Sequence, residues 1–412
     1  MAKARKDPRG RALKTGESFR KDGRYVYGYT DPLGRRKWIY AYDLLTLREK
    51  ERELVKNQLD GLDLYARGKA TVNDTFDRYM ATKYDLAEST RANYIYTYNH
   101  LVRDTFGMKK LVDVKYSDVL QFYMHLINER DIALGTLDSV HNVIHPVFQL
   151  AVRDDIIRKN PSDGVMREMT RKAGKNRGVR HALTVEQQRI FMNYMANHPV
   201  YYHWWPMFTI LLGTGCRIGE ALGLRWDDLD FENRVISINH AIVYYPIGES
   251  RTAVMRISHP KTEAGIRTIP MLDVVKDAFE LEREEQEESG GLNEQVIDEM
   301  TGFVFKNRFG NVPTPGSVNT AIKRIVNSYN AEEILDAKKE NREPVLLPDF
   351  SCHHLRHTFA TRLCEAESNL KVIQAVMGHR NIETTMDIYA EATERGKQES
   401  FEKLQNKLDN IF

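Results

Sequence analysis

The 412-residue chain is 42% hydrophobic and 29% charged, enough apolar material for roughly two to four packed domains and too much for a disordered chain. Its three cysteines form no C-x-x-C pair, which argues against a disulfide scaffold. No apolar run approaches the ~18 residues that cross a bilayer, so a cytoplasmic protein is the expectation.

The net charge of +2 hides local asymmetry. Residues 1–42 carry twelve Lys/Arg against four Asp/Glu, and residues 167–181 carry six against one. Such basic blocks suggest contact surfaces for a polyanion. Residues 279–300 carry nine acidic residues and one Arg, which reads as a solvated helix face.

In chain order, residues 1–15 are basic and poor in apolar side chains. RYVYGYT (24–30) and RKWIYAY (36–42) alternate as strands do. Tyr25, Tyr27 and Tyr29 share one face of the first; Trp38, Tyr40 and Tyr42 share one face of the second. DPLG (31–34) between them has turn chemistry, and a weaker strand is expected near 17–21. A charged amphipathic helix follows from Leu44 to about Leu59. A three-stranded sheet backed by one helix is predicted, with an aromatic face packed on the helix. The opposite face and the turn, with Arg24, Arg35, Arg36 and Lys37, are candidates for a DNA groove.

Residues 61–70 read as a connector. Apolar residues at three- and four-residue intervals then predict helices at 71–84, about 88–105, 117–129 and 136–153. The last carries the stripe Leu137, Val140, Val143, Ile144, Val147, Phe148 and Ala151. Pro161 disfavours helix at Asn160 and closes the bundle. Residues 167–181, with Arg171, Lys172, Lys175, Arg177 and Arg180, read as a linker of one sign that repels itself until a polyanion neutralises it.

From Leu183 a larger mixed domain is predicted. A helix over 186–196 leads to the apolar run 204–212, a break at Gly215, and a new helix opened by Arg217 with Glu220 three residues on. Val235–Tyr244, Arg251–Ser258 and Ile266–Ile269 alternate like strands of one small antiparallel sheet. Lys261 lies in the turn between the last two. Helices resume at about 271–288 and 317–328, and 329–348 reads as an elaborated loop.

The stretch 351–391 concentrates chemistry. Leu355, Phe359, Ala360 and Leu363 have the spacing of a helix with one buried face, on which His353 and Arg356 share an edge. A second helical run, striped by Leu370, Ile373 and Met377, stops at Gly378. His379 follows at once and Tyr389 ten residues later. Cations, imidazoles and one phenol on short apolar helices can stabilise an oxyanion beside a hydroxyl nucleophile. His353 and His357 beside Cys352 also invite a metal, but no acidic or cysteine partner stands at H-E-x-x-H spacing. Cys216 has no nucleophile motif of its own.

His353-x-x-Arg356, Met377-Gly378-His379 and Tyr389, in this order and spacing, resemble the C-terminal signature of the tyrosine recombinase (phage integrase) family. Arg217-x-x-Glu220 and the turn residue Lys261 fit the same pattern, and the resemblance spans essentially residues 71–395. Met377 stands where the family more often has Leu, a volume-conserving change. Residues 1–66 are similar, less specifically, to the arm-binding domain of integrases from conjugative transposons.

The resemblance implies that Tyr389 attacks a DNA phosphodiester, giving a covalent 3′-phosphotyrosyl intermediate and a free 5′-hydroxyl with neither ATP nor an essential metal. Arg217 and Arg356 would hold the non-bridging oxygens. A phenol ordinarily ionises near pH 10, so His353 would accept or orient its proton. Lys261 would protonate the leaving oxygen, His379 would hydrogen-bond the phosphate, and Glu220 would fix an arginine.

The expected fold class is multidomain and mainly α with small β-sheets. It comprises an arm-type domain (1–66), a helical core-binding domain (71–166), a basic linker (167–181), a mixed α+β catalytic domain (182–396) and a C-terminal helix (397–412). The last carries a seam, Phe401, Leu404, Leu408 and Ile411, suited to docking on another protomer. The expected function is site-specific integration and excision of a mobile element by a dimer to tetramer on double-stranded DNA with core-type and arm-type sites. A small excisionase or a host DNA-bending protein is an implied partner. A type IB topoisomerase shares the constellation but needs no second sequence-reading module. A catalytically silent regulator needs no complete set of catalytic groups.

Overall fold

A computed structural model describes residues 5–30, 36–59, 70–172, 181–247, 252–260 and 265–392. The expected turn 31–34 with Arg35, most of the connector, the side chain of Lys172, residues Lys175, Arg177 and Arg180, the turn residue Lys261, and the seam of 397–412 lie outside the described residues. The chain forms two units, Met1–Arg177 and Gly178–Phe412. Among the described residues no helix is long and apolar enough to cross a membrane.

The first unit opens with three antiparallel strands in the order β1 (Glu17–Phe19), β2 (Tyr25–Thr30), β3 (Arg36–Ala41). Tyr27 pairs with Ile39 and Gly28 with Trp38, so the tyrosines of β2 and the Trp38/Tyr40 side of β3 occupy opposite faces. The Tyr25 face joins Ala41 against Leu44 and Leu47 of α1 (Leu44–Leu59). Trp38 and Tyr40 are exposed, and the guanidiniums of Arg20 and Arg24 lie over the Tyr40 ring.

The expected four helices follow as α2 (Val72–Thr82), α3 (Glu88–Leu101), α4 (Tyr116–Asn128) and α5 (Leu134–Arg153). Thr71 and Asp74 form a capping box that starts α2, and the whole predicted stripe of α5 is buried. The basic stretch departs from a plain linker. Its first part is helical, α6 (Val165–Lys172), with Val165 and Met169 entering the bundle core. Two apolar side chains four residues apart seat a short helix even where every other signal is charge.

The second unit begins with α7 (Val185–Asn197), α8 (Trp205–Thr214) and α9 (Ile218–Gly223). Strands β4 (Leu229–Asp230), β5 (Val235–Ile238), β6 (Ala241–Ile247), β7 (Thr252–Ser258) and β8 (Arg267–Pro270) come next. They make two sheets, not one: β5 lies between β4 and β8, while β6 and β7 form a separate ribbon. The predicted strand 235–244 breaks at His240, whose buried ring bonds the Gly223 carbonyl through Nε2 at 2.6 Å.

Then come α10 (Asp273–Glu288), α11 (Pro315–Glu340), α12 (Cys352–Ala366), α13 (Leu370–Met377) and α14 over residues 382–392. Helix α8 is apolar nearly all round and lies in the core. The expected loop 329–348 is instead helical as far as Glu340. The polar residues that suggested a loop anchor the returning chain: Asn330 exchanges bonds with both backbone groups of Leu347, and the Tyr329 hydroxyl donates to the Val345 carbonyl.

Candidate active site

Helix α8 ends at Gly215, whose φ of +62° is the left-handed stop that glycine favours. Two residues later Arg217 begins α9. Its backbone N–H donates to Glu220 Oε2 at 2.9 Å and its Nη1 to Glu220 Oε1 at 2.6 Å. From α12, Arg356 donates through Nη1 to the Gly215 carbonyl and through Nη2 to the Met377 carbonyl, both at 2.6 Å. Its side chain is 5% exposed and lies 3.9 Å from Glu220 Oε2.

A third arginine, Arg267 on β8, escaped the sequence reading. It grips Glu220 through Nη2 at 2.7 Å and Nη1 at 3.2 Å, and donates from Nε to the Val376 carbonyl at 2.7 Å. The available signal was its alternation with Ile269 on the buried face of a strand, a position where a cation needs a partner.

Helix α13 ties these groups together. Its last carbonyls, with no helical partner of their own, accept from three different arginines. Val376 takes Arg267, Met377 takes Arg356, and Gly378 takes Arg217 Nη2 at 3.2 Å. A helix C-terminus favours cations, so α13 both fixes and favours the cluster. Gly378 has φ +61°, and a Cβ there would stand 2.9 Å from Arg267 Nη1. His379 follows, its Nδ1 3.0 Å from Thr385 Oγ1 and its carbonyl held by Gln374 Nε2 at 3.0 Å.

The electrostatics follow from one carboxylate among three guanidiniums. Burial alone would raise the Glu220 carboxyl, but the hydrogen-bonded Arg267, with Arg217 beyond it, holds it at about 2. Burial and then the neighbouring Arg217 lower Arg356 to about 10. Burial, reinforced by Arg356, Arg217 and Arg267, lowers His379 to about 4, so that ring is neutral at pH 7. The cluster carries surplus positive charge suited to an anion.

Arg217, His353, Arg356 and His379 line one cleft, closed on its far side by Thr384, Asp387, Ile388 and Glu391 of α14. Arg217, Glu220 and Gly378 also line an adjoining pocket with His240, His259, Pro260 and Gly265. Pro260 and Gly265 flank residues 261–264, among them Lys261, in sequence. Among the described residues, the cleft lining does not include Tyr389. Its ring packs with Phe359, Leu363 and Leu370 around buried Ala360, Cys364, Ile373 and Met377. Tyr389 follows the cleft-lining Ile388, about 100° further round the helix.

Arg217, His353, Arg356 and His379 thus come together at one cleft, with Tyr389 one step round its helix from the lining. Among the DNA-contact candidates, Arg24 is hydrogen-bonded to Asp22, Arg36 is exposed at the start of β3, and Arg171 is exposed on α6.

Fold and site together define a tyrosine recombinase, an enzyme that breaks and rejoins DNA strands. Residues 181–395 match the description "Phage integrase family", and residues 1–58 match "DNA binding domain of tn916 integrase". The chain belongs to the phage integrase family. It is 31% identical to the transposase from transposon Tn916 of Enterococcus faecalis, over 95% of each chain. It is 23% identical to a tyrosine recombinase XerC-like protein of Caldanaerobacter subterraneus subsp. tengcongensis, over 94% of this chain and 97% of that one. Among solved structures, the Tn1549 transposon integrase in complex with a circular intermediate DNA gives a TM-score of 0.68 at 29% identity, covering 81% of this chain and 99% of that chain. A lambda integrase tetramer bound to a Holliday junction gives 0.51 at 16% identity over 92% and 95%, a likeness of fold alone.

Proposed function

We propose that this recombinase integrates and excises a conjugative transposon, with the Tyr389 hydroxyl as nucleophile. The observation that carries the reading is the convergence of Arg217, His353, Arg356 and His379 on one cleft. In the cleavage step the phenolic oxygen bonds to phosphorus and the bond to the 5′-oxygen breaks, leaving a 3′-phosphotyrosyl ester. A 5′-hydroxyl then attacks that ester and releases the tyrosine, so bond energy is retained throughout.

Arg217 and Arg356 offer paired donors to the non-bridging oxygens as charge builds there. His379 is neutral at pH 7; we assign its proton to Nε2, with Nδ1 accepting from Thr385 Oγ1 3.0 Å away, so that Nε2 can donate to the same phosphate. His353 accepts or orients the phenolic proton. Lys261 protonates the leaving 5′-oxygen; the pocket between Pro260, Gly265 and Arg217 supports this assignment. Glu220 and Arg267 touch no substrate and hold Arg217 and Arg356 in register.

The exposed Trp38/Tyr40 face with Arg24 and Arg36, and the neighbouring Arg35, reads arm-type sites, whereas Lys37, paired with Tyr29, lies on the opposite face of β3. Arg171, Lys172, Lys175, Arg177 and Arg180 follow phosphates toward the core site. The relatives bound to DNA as dimers and tetramers support assembly of several protomers on DNA, with residues 397–412 docking between them. We assign the arm domain to 1–66, the core-binding domain to 71–166 and the catalytic domain to 182–396. An excisionase or a host DNA-bending protein completes the assembly.

The test is incubation with a nicked att-type duplex that traps cleavage, followed by a denaturing gel. A DNA-linked protein band is expected from the parent and none from Tyr389→Phe. A band that survives in Tyr389→Phe refutes the nucleophile. Exchange between two marked duplexes, as opposed to relaxation alone, separates recombination from topoisomerase action.

A further inference from the structure

We infer that Glu391 is a positioning residue which, with His181 and His357, sets the rotation of α14 and keeps Tyr389 on its apolar cluster until DNA enters the cleft. The inference rests on Tyr389 being the nucleophile. Glu391 lies two residues beyond Tyr389, on the side of the helix that faces the cleft. Its Oε1 is 3.2 Å from His181 Nδ1, a hydrogen bond, and its Oε2 is 3.6 Å from His357 Nε2, an ionic contact when that ring is protonated. Both partners are fixed to α12. His357 belongs to that helix, one residue beyond Arg356, with its Nδ1 3.5 Å from Thr361 Oγ1. The segment carrying His181 is stapled alongside: Leu183 N–H donates to Thr358 Oγ1 and the Leu183 carbonyl accepts from Arg362 Nη2, each at 2.9 Å.

One carboxylate thus locks the angular setting of α14 to the helix that also bears His353 and Arg356. In that setting Asp387 and Glu391, four residues apart on one face, line the same cleft as the two arginines. Turning the helix by about one residue, ~100°, is what brings position 389 to where Ile388 now stands. That turn breaks both Glu391 contacts. An entering phosphate meets the cations these carboxylates now face, so DNA binding and the locked setting compete. His181 is also the last residue of the basic run proposed to lie on phosphates, which couples DNA contact directly to the lock.

The test measures the single-turnover rate of the covalent adduct at saturating nicked duplex, with the full chain. Glu391→Gln and His181→Ala should each raise the rate, by about three- to tenfold and two- to fivefold, the worth of one or two partly exposed polar contacts. Thermal unfolding verifies that both variants are folded. His181→Ala keeps the Glu391 charge in the cleft, so acceleration in Glu391→Gln alone reports removal of a charge beside the phosphate and overturns the lock. An unchanged or slower rate in both also overturns it. Each background is repeated with Tyr389→Phe: an adduct that persists there overturns the nucleophile and the lock together. An adduct that depends on Tyr389 but whose rate is unmoved overturns the lock alone.

Discussion

Glu220→Gln isolates what the single buried carboxylate does for the three arginines. A carboxyl held at about 2 against its ordinary 4.5 contributes roughly 3 kcal/mol to the folded state at neutral pH, at 1.36 kcal/mol per pH unit. The amide keeps the shape and one acceptor but leaves Arg267 and Arg356, each 5% exposed, without the charge that offsets their burial. Loss of one member of a buried ion pair costs about 3–5 kcal/mol, consistent with the pH-derived figure. For a unit of this size each kcal/mol moves Tm by about 2–4 °C, so a fall of about 6–12 °C is expected by scanning calorimetry at pH 7.

The sign of the pH dependence follows. Because the folded carboxyl is the stronger acid, the parent gains this stability fully above pH 4.5 and loses it as pH falls toward about 2. The variant lacks that slope. A core-site duplex supplies a phosphate to the uncompensated guanidiniums and should raise Tm more in the variant than in the parent. A Tm within about 2 °C of the parent, or an equal response to DNA, refutes the hub.

Other outcomes follow from the same geometry. Gly378→Ala forces a side chain into a left-handed position against Arg267, costing about 1–2 kcal/mol; calorimetry should register a lower Tm and the nicked-duplex assay slower cleavage. His379 is held at about 4 by burial and the three arginines, so the parent loses stability as pH falls from about 6.5 to about 4. His379→Gln should flatten that part of the profile in urea titrations. Arg24→Ala should lower the salt dependence of arm-site binding by about one phosphate contact and leave cleavage of a core-only duplex unchanged. An unchanged slope removes Arg24 from the interface.

How far the sequence discloses this site depends on the range over which each constraint acts. His353-x-x-Arg356, Arg217-x-x-Glu220 and the stop at Gly378 are local: helical spacing and a left-handed cap dictate them within one turn, and the structure has them as read. Arg267 is different. Nothing in Arg267-Thr268-Ile269-Pro270 tells its cation that Glu220, 47 residues earlier, will be its partner; alternation with Ile269 marks a buried cation but not what neutralises it. The strand reading failed at His240 for the same reason, since the ring's buried bond to Gly223 is what divides two sheets. The helix through Glu340 was missed because its polar residues serve a returning segment that helical periodicity does not register.

Tyr389 shows where such inference stops. Spacing places it on a helix beside the cleft, but on the proposed lock the angle of that helix depends on Glu391 meeting His181 across 210 residues. Arg356 and Arg267 are buried and, with the more exposed Arg217, fixed through Glu220, while α14 is pinned through partly exposed contacts worth little individually. On the proposed mechanism the rigid and adjustable parts of the site divide as cleavage on demand requires: phosphate binding would be preorganised at the end of α13, and delivery of Tyr389 left to the element that is cheapest to turn.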